Sequence, residues 1–161
     1  VSPAQAPPVA IDLDGALADT RPLWDDWLRS AGNVLGVVPA SLPQDRGAAA
    51  EELDRGDAGN WRTLLERFGE ERAPVYLRRD PATSAALRAL DAAGRELGIF
   101  TDAPEVLARV ALAHLGADRR ITVVEAGADA LPRLVARLGA ETVVAHTSDE
   151  LLRAAQDLPR S

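Results

Sequence analysis

The sequence predicts one α/β domain organised around a short parallel β-sheet. Four short β-rich, mostly apolar runs recur along the chain, each followed by a helical stripe, the pattern of βαβ units. One long stretch breaks the alternation: from about Arg21 to Arg79 the chain reads as helices only. A length of 161 residues suits a single domain with room for one small insert.

The first run, Val9-Ala10-Ile11, leads into Asp12. In the helical stretch, Leu23, Trp24, Trp27, Leu28 and Ala31 share one face, Ala48 to Leu53 forms a second piece, and Trp61, Leu64, Leu65 and Phe68 form a third. All three tryptophans lie here. Asp80-Pro81 is a cap followed by a first-turn proline, and Leu87, Leu90 and Ala93 make a stripe ending at Gly94. The second run, Glu96 to Phe100, ends at Thr101-Asp102. Asp102-Ala103-Pro104-Glu105 then has capping-box spacing ahead of Val106, Leu107 and Val110. The third run, Ile121 to Val124, ends at Glu125, and the stripe of Leu131, Leu134, Val135 and Leu138 stops at Gly139. The fourth, Thr142 to Ala145, ends at His146-Thr147. Ser148 is placed to cap a last helix through Leu151, Leu152 and Ala155.

Composition narrows the function. The net charge of −7 supplies no basic surplus for nucleic acid or an anionic membrane. No apolar run approaches the roughly 18–20 residues that span a bilayer. The Pro/Ala-rich residues 1–8 read as a frayed tail rather than a secretory signal, so the expected location is cytoplasmic. There is no cysteine, which removes disulfides and thiolate metal sites. All 18 basic residues are arginine, so any task that usually falls to a lysine passes to arginine or goes unfilled.

The chemistry concentrates at Asp12-Leu13-Asp14-Gly15. Alternation along an extended segment sends Asp12 and Asp14 to one side and Leu13 into the core. Two carboxylates so close raise each other's pKa unless a cation lies between them. The carboxyl end of a strand in a parallel sheet is where ligands bind. A bare Asp-x-Asp would equally serve as turn and cap carboxylates. The longer run Ile11 to Thr20, Ile-Asp-Leu-Asp-Gly-Ala-Leu-Ala-Asp-Thr, resembles the first motif of the haloacid-dehalogenase-like superfamily and departs from it only at Ala16, where Thr is usual.

The resemblance implies a Rossmannoid three-layer core of about four parallel strands in the order 4-1-2-3, formed by residues 1–20 and 80–161. Residues 21–79 would be a helical cap inserted after the first strand, over the carboxyl edge of the sheet, with at least one tryptophan near Asp12. It implies Asp12 as nucleophile and Asp14 as general acid and base, with Mg2+ held at Asp12, Asp14 and Asp149. Asp14 disfavours a dehalogenase, whose halide leaves without a proton. Thr101, with Asp102, matches the phosphate-holding second motif, although Thr101 also suits a helix start and Asp102 a helix cap.

The later motifs depart from the family. Glu125 falls where the third motif has its lysine, which leaves Arg95, Arg119, Arg120 or Arg133 as the cations that could reach in. His146 falls where the fourth has its first aspartate, and Asp149 matches the second or simply begins a helix. Imidazole is a poorer Mg2+ ligand than carboxylate. The expectation is therefore a Mg2+-dependent hydrolase of a small phosphorylated metabolite, acting through an aspartyl-phosphate. The alternative is a catalytically impaired relative that binds a phosphorylated ligand or a protein partner.

Overall fold

The computed structural model describes residues 6–160. Of the expected tail, residues 1–5 lie outside the described residues. Pro7 and Pro8 are held on the sheet: Arg95 donates to the Pro7 carbonyl and the Val143 amide donates to the Pro8 carbonyl at 2.9 Å.

Four parallel strands form the sheet: β1 (Val9–Asp12), β2 (Leu97–Thr101), β3 (Val123–Ala126) and β4 (Val143–Ala145). Their spatial order β3-β2-β1-β4 is the expected 4-1-2-3 read from the other edge. Among the described residues there are seven α-helices: α1 (Arg21–Leu35), α2 (Arg46–Arg55), α3 (Trp61–Tyr76), α4 (Pro81–Ala92), α5 (Glu105–Leu115), α6 (Ala130–Leu138) and α7 (Ser148–Gln156).

The two inner strands are buried on both faces, as their unbroken apolar runs require. Val9, Ile11, Leu97 and Ile99 face a core filled from α4, α5 and α7 by residues such as Leu87, Leu90, Ala111, Leu112 and Leu151. Ala10 and Phe100 point the other way, onto Ala130 and Leu134 of α6. Helix, sheet and helix make the three layers.

The stretch between β1 and α4 contains no strand. Helices α1 to α3 build their own apolar cluster around Leu23, Trp24, Trp27, Leu53, Trp61 and Leu65, which Ala103 and Leu107 join to the core. Trp27 lies 5.2 Å from Trp24 and 6.0 Å from Trp61, ring centroid to centroid. Each tryptophan is at most 2% exposed, so the three rings serve as the interior of this helical unit.

Register sets the working edge. Asp12 pairs with Phe100, Ile11 with Ala145, and Phe100 with Glu125. Asp12, Thr101, Glu125 and His146 therefore all fall at or just past the carboxyl ends of neighbouring strands.

Candidate active site

After Asp12 the chain makes a tight turn over Leu13–Leu17, closed by Gly15 N–H to Ala18 O at 2.8 Å and Ala18 N–H to Leu13 O at 3.0 Å. Gly15 sits at φ +134°, and a Cβ there would lie 2.5 Å from the His146 carbonyl oxygen. Glycine is required on both counts. The turn leaves Asp12 and Asp14 at one rim of an open cleft of about 800 Å³, with Arg21 and Arg46 contributed by the helical stretch and Asp80, Thr101, Asp102 and Ser148 by the rest of the chain.

The two carboxylates have different surroundings. One oxygen of Asp12 accepts the Asp14 amide N–H at 3.1 Å; the other lies 3.8 Å from Nδ1 of the exposed His146. Burial, then the negative charge of Asp14, pushes the Asp12 carboxyl up to about 6, against the pull of the Asp14 amide and His146.

Asp14 is saturated. Its Oδ1 accepts the Thr20 amide at 2.8 Å and the Thr20 hydroxyl at 2.6 Å; its Oδ2 accepts Arg46 Nη2 at 2.6 Å and the Thr101 hydroxyl at 2.7 Å. A carboxylate offers about four acceptor positions, and all are filled. Burial alone would raise this carboxyl, but Arg46 and the Thr20 and Thr101 donors outweigh it and hold it below the ordinary value.

Thr101 has a double engagement. Its hydroxyl donates to Asp14 and accepts the Ala103 amide at 3.1 Å. Asp102 caps no helix: Pro104 precedes α5 and makes no side-chain cap. Its carboxylate instead takes the Arg46 amide at 3.0 Å, Arg46 Nε at 3.1 Å, Arg46 Nη2 at 2.8 Å and Arg21 Nη2 at 3.1 Å.

Arg46 is the residue that sequence reasoning missed. It is fully buried, pairs with Asp14 and Asp102, and donates to the Thr20 hydroxyl at 2.7 Å. The local signal was legible: Asp45 accepts the Ala48 amide at 2.8 Å and caps α2, which makes Arg46 the first helical residue. What α2 docks against was not. None of the four arginines considered from the sequence lines the cleft. Arg95 bonds Pro7, Arg120 stands 3.9 Å from Asp91, and Arg119 lies beside it ahead of β3, at the amino edge. Arg133 and Arg137 both bind Glu125, the residue at the lysine position. None of the tryptophans lines the cleft either.

The donors do not fit a resident Mg2+. The Asp14 carboxylate has no free lone pair, Asp149 is exposed and outside the cleft lining, and His146 offers a nitrogen to a metal that prefers oxygen. Of the four expected or replacing ligands, Asp12 keeps a free carboxylate oxygen. Among the described residues, no group of three or more His, Cys, Asp or Glu side chains is arranged to hold a metal ion. Nor is any helix there long and apolar enough to cross a membrane.

No protein-family model and no curated protein matches the chain. Solved structures do. CbbY from Rhodobacter sphaeroides, in complex with phosphate, superposes with TM-score 0.60 at 14% identity over 92% of this chain and 82% of its own. A HAD-superfamily hydrolase of subfamily IA from Geobacter sulfurreducens gives 0.52 at 17%, over 96% and 92%. A HAD phosphatase from Thermococcus onnurineus gives 0.51 at 25%, over 86% and 76%. With the strand order and the Asp-x-Asp turn, these likenesses show that the chain has the haloacid-dehalogenase-like fold.

Proposed function

We propose that the chain is a slow phosphate-monoester hydrolase that uses Asp12 as its nucleophile on a small phosphorylated molecule. The observation that carries this is the free oxygen of Asp12, which faces an open cleft at the carboxyl edge of the sheet and has no hydrogen-bond donor on it. Asp12 Oδ2 attacks phosphorus, the phosphorus–oxygen bond to the leaving group breaks, and that bond's electron pair departs with the leaving oxygen. Water then attacks the aspartyl-phosphate, restoring the Asp12 carboxylate and releasing inorganic phosphate. With its carboxyl at about 6, Asp12 is mostly ionised at neutral pH, as a nucleophile must be. Residues 21–79 act as the cap, and Arg21 supplies positive charge at the mouth of the cleft.

Asp14 is assigned its expected role as general acid with a qualification set by its contacts. To carry a proton to the leaving group it must first release one of its four donors. General acid help is worth about 10²–10⁴-fold, so alkyl phosphates lose the most when it is weak. The donors for Mg2+ being incomplete, no step of this reading runs through a metal.

The same saturation of Asp14 favours a second reading, a protein of this fold that binds a phosphorylated ligand without turning it over. Phosphate release from aryl, acyl and alkyl phosphates, with and without Mg2+, separates the two. The first reading expects slow release that disappears in Asp12→Asn. Silence toward every compound, with ligand binding retained, selects the second.

A further inference from the structure

We infer that His146 binds the phosphoryl group at Asp12, donating a ring N–H to one of its non-bridging oxygens while Asp12 makes its bond to phosphorus. That role presupposes the hydrolase reading for its effect on rate; the binding itself can be measured without turnover.

The first ground is what the other donors already hold. A phosphoryl group on Asp12 brings negative charge to an edge whose arginines are engaged. Arg46 is fully buried and spends Nε, Nη1 and Nη2 on Asp102, Thr20 and Asp14. Arg21 gives Nη2 to Asp102 and Nη1 to the Gln44 carbonyl. Arg133 and Arg137 close on Glu125. His146 differs: among the described residues it hydrogen-bonds through its backbone amide alone, and its ring nitrogens have no partner.

Placement is the second. Nδ1 lies 3.8 Å from Asp12 Oδ2, the attacking oxygen. That is beyond hydrogen-bond range, so the ring stands beside the carboxylate without being spent on it, within reach of a group bound at Oδ2. An imidazole offers a ring N–H whether neutral or protonated, so the contact requires no particular charge state. The third ground is the seat. Glu150 accepts the His146 amide at 2.6 Å, and Gly15 packs so close that a Cβ there would lie 2.5 Å from the His146 carbonyl oxygen. The ring meets Phe100 edge-on, with centroids 5.6 Å apart and planes at 80°. Gly15 and Phe100 both line the cleft, and His146 stands beside them. Its side chain is nonetheless more than half exposed. The ring is thus oriented by its neighbours and open to a ligand.

The test joins a binding measurement to a rate measurement on the full chain. The sequence has two histidines, and the other, His114 of α5, bonds the Leu77 carbonyl at 3.1 Å. A spectrum of protein labelled with 15N-histidine therefore carries its own control. At constant pH, inorganic phosphate should move the ring signals that His146→Asn removes and leave those of His114 in place; chloride at equal ionic strength should move neither. His146 signals that stay in place at the highest phosphate concentration the protein tolerates, or that chloride moves equally, overturn the inference. Losing one donor to charge developing in the transition state can cost about 10²–10³-fold in kcat. Water replaces part of an exposed donor, which points to about 10²-fold for His146→Ala on aryl phosphates. His146→Asn, whose side-chain N–H stands near the position of Nδ1, should keep most of the rate, and added imidazole should return part of it to His146→Ala. A role confined to packing predicts neither. Equal rates for wild type and His146→Ala, with the phosphoryl label on Asp12, overturn the inference and leave the hydrolase reading intact. Movement of the His146 signals by phosphate, with no release from any phosphate monoester, does the reverse.

Discussion

Replacing Arg46 by Met removes the charge while keeping a side chain that fills part of the same volume. Four side-chain hydrogen bonds disappear: two to Asp102, one to Asp14 and one to Thr20. With Arg46 in place Asp14 is 19% exposed and Asp102 26% exposed; the variant leaves the first with no cation and the second with only Arg21. Breaking a buried ion pair from one side costs about 3–5 kcal/mol. Residual exposure lets water reach both carboxylates, which points to the lower end, about 3 kcal/mol. The pH profile sharpens the test. In wild type both carboxyls are held below their ordinary value of 3.8, so their contribution is present above that pH and is lost on acidification below it. Without Arg46 the largest lowering influence is gone, leaving the Thr20 and Thr101 donors on Asp14 and Arg21 on Asp102 against burial, so the variant should lose less stability in acid than wild type. Urea unfolding at pH 7 and across the acid range measures both effects. A loss under about 1 kcal/mol at pH 7, with the acid limb unchanged, would refute the reasoning.

Asp12→Asn should stabilise the fold at neutral pH. The raised carboxyl, about 6 folded against 3.8 free, imposes a penalty that is complete above 6, shrinks as pH falls through 6 and is absent below 3.8. Allowing for solvent screening, the gain is about 1–2 kcal/mol at pH 8, and equal unfolding midpoints for both proteins there would contradict it. Gly15→Ala should cost about 2 kcal/mol or more, from the positive φ and the clash with the His146 carbonyl, and thermal unfolding will show it. Glu125→Lys should not restore a phosphate-binding cation. It sets a third positive charge beside Arg133 and Arg137, so a small loss of stability and no gain in phosphate release are expected.

Much of the fold was legible from the chain alone. The strands were visible because inner strands of a parallel sheet are apolar on both faces. β1 and β2 carry that signature plainly, whereas the edge strand β4 is only three residues long with Val143 39% exposed. The Asp12-Leu13-Asp14-Gly15 turn was legible because alternation and a positive-φ glycine leave a local imprint. Arg46 left none of that kind: its partners lie 32 and 56 residues away, and only the docking of α2 brings them together. Asp102 was misread for the same reason, since capping-box spacing describes a local option and the pull of two arginines from the helical stretch won. The tryptophans took the ordinary course for large rings in a small helical unit, packing on one another rather than facing a ligand.

The central claim is that Asp12 receives a phosphoryl group, and acid-quench peptide mass spectrometry tests it most directly. The protein is mixed with acetyl phosphate or an aryl phosphate, quenched in acid within the first turnover, digested and mapped. The account predicts one phosphoryl group on the peptide that carries Asp12, absent from Asp12→Asn treated in the same way. Phosphate release with the label on another residue, label persisting in Asp12→Asn, or no label from any compound would contradict it.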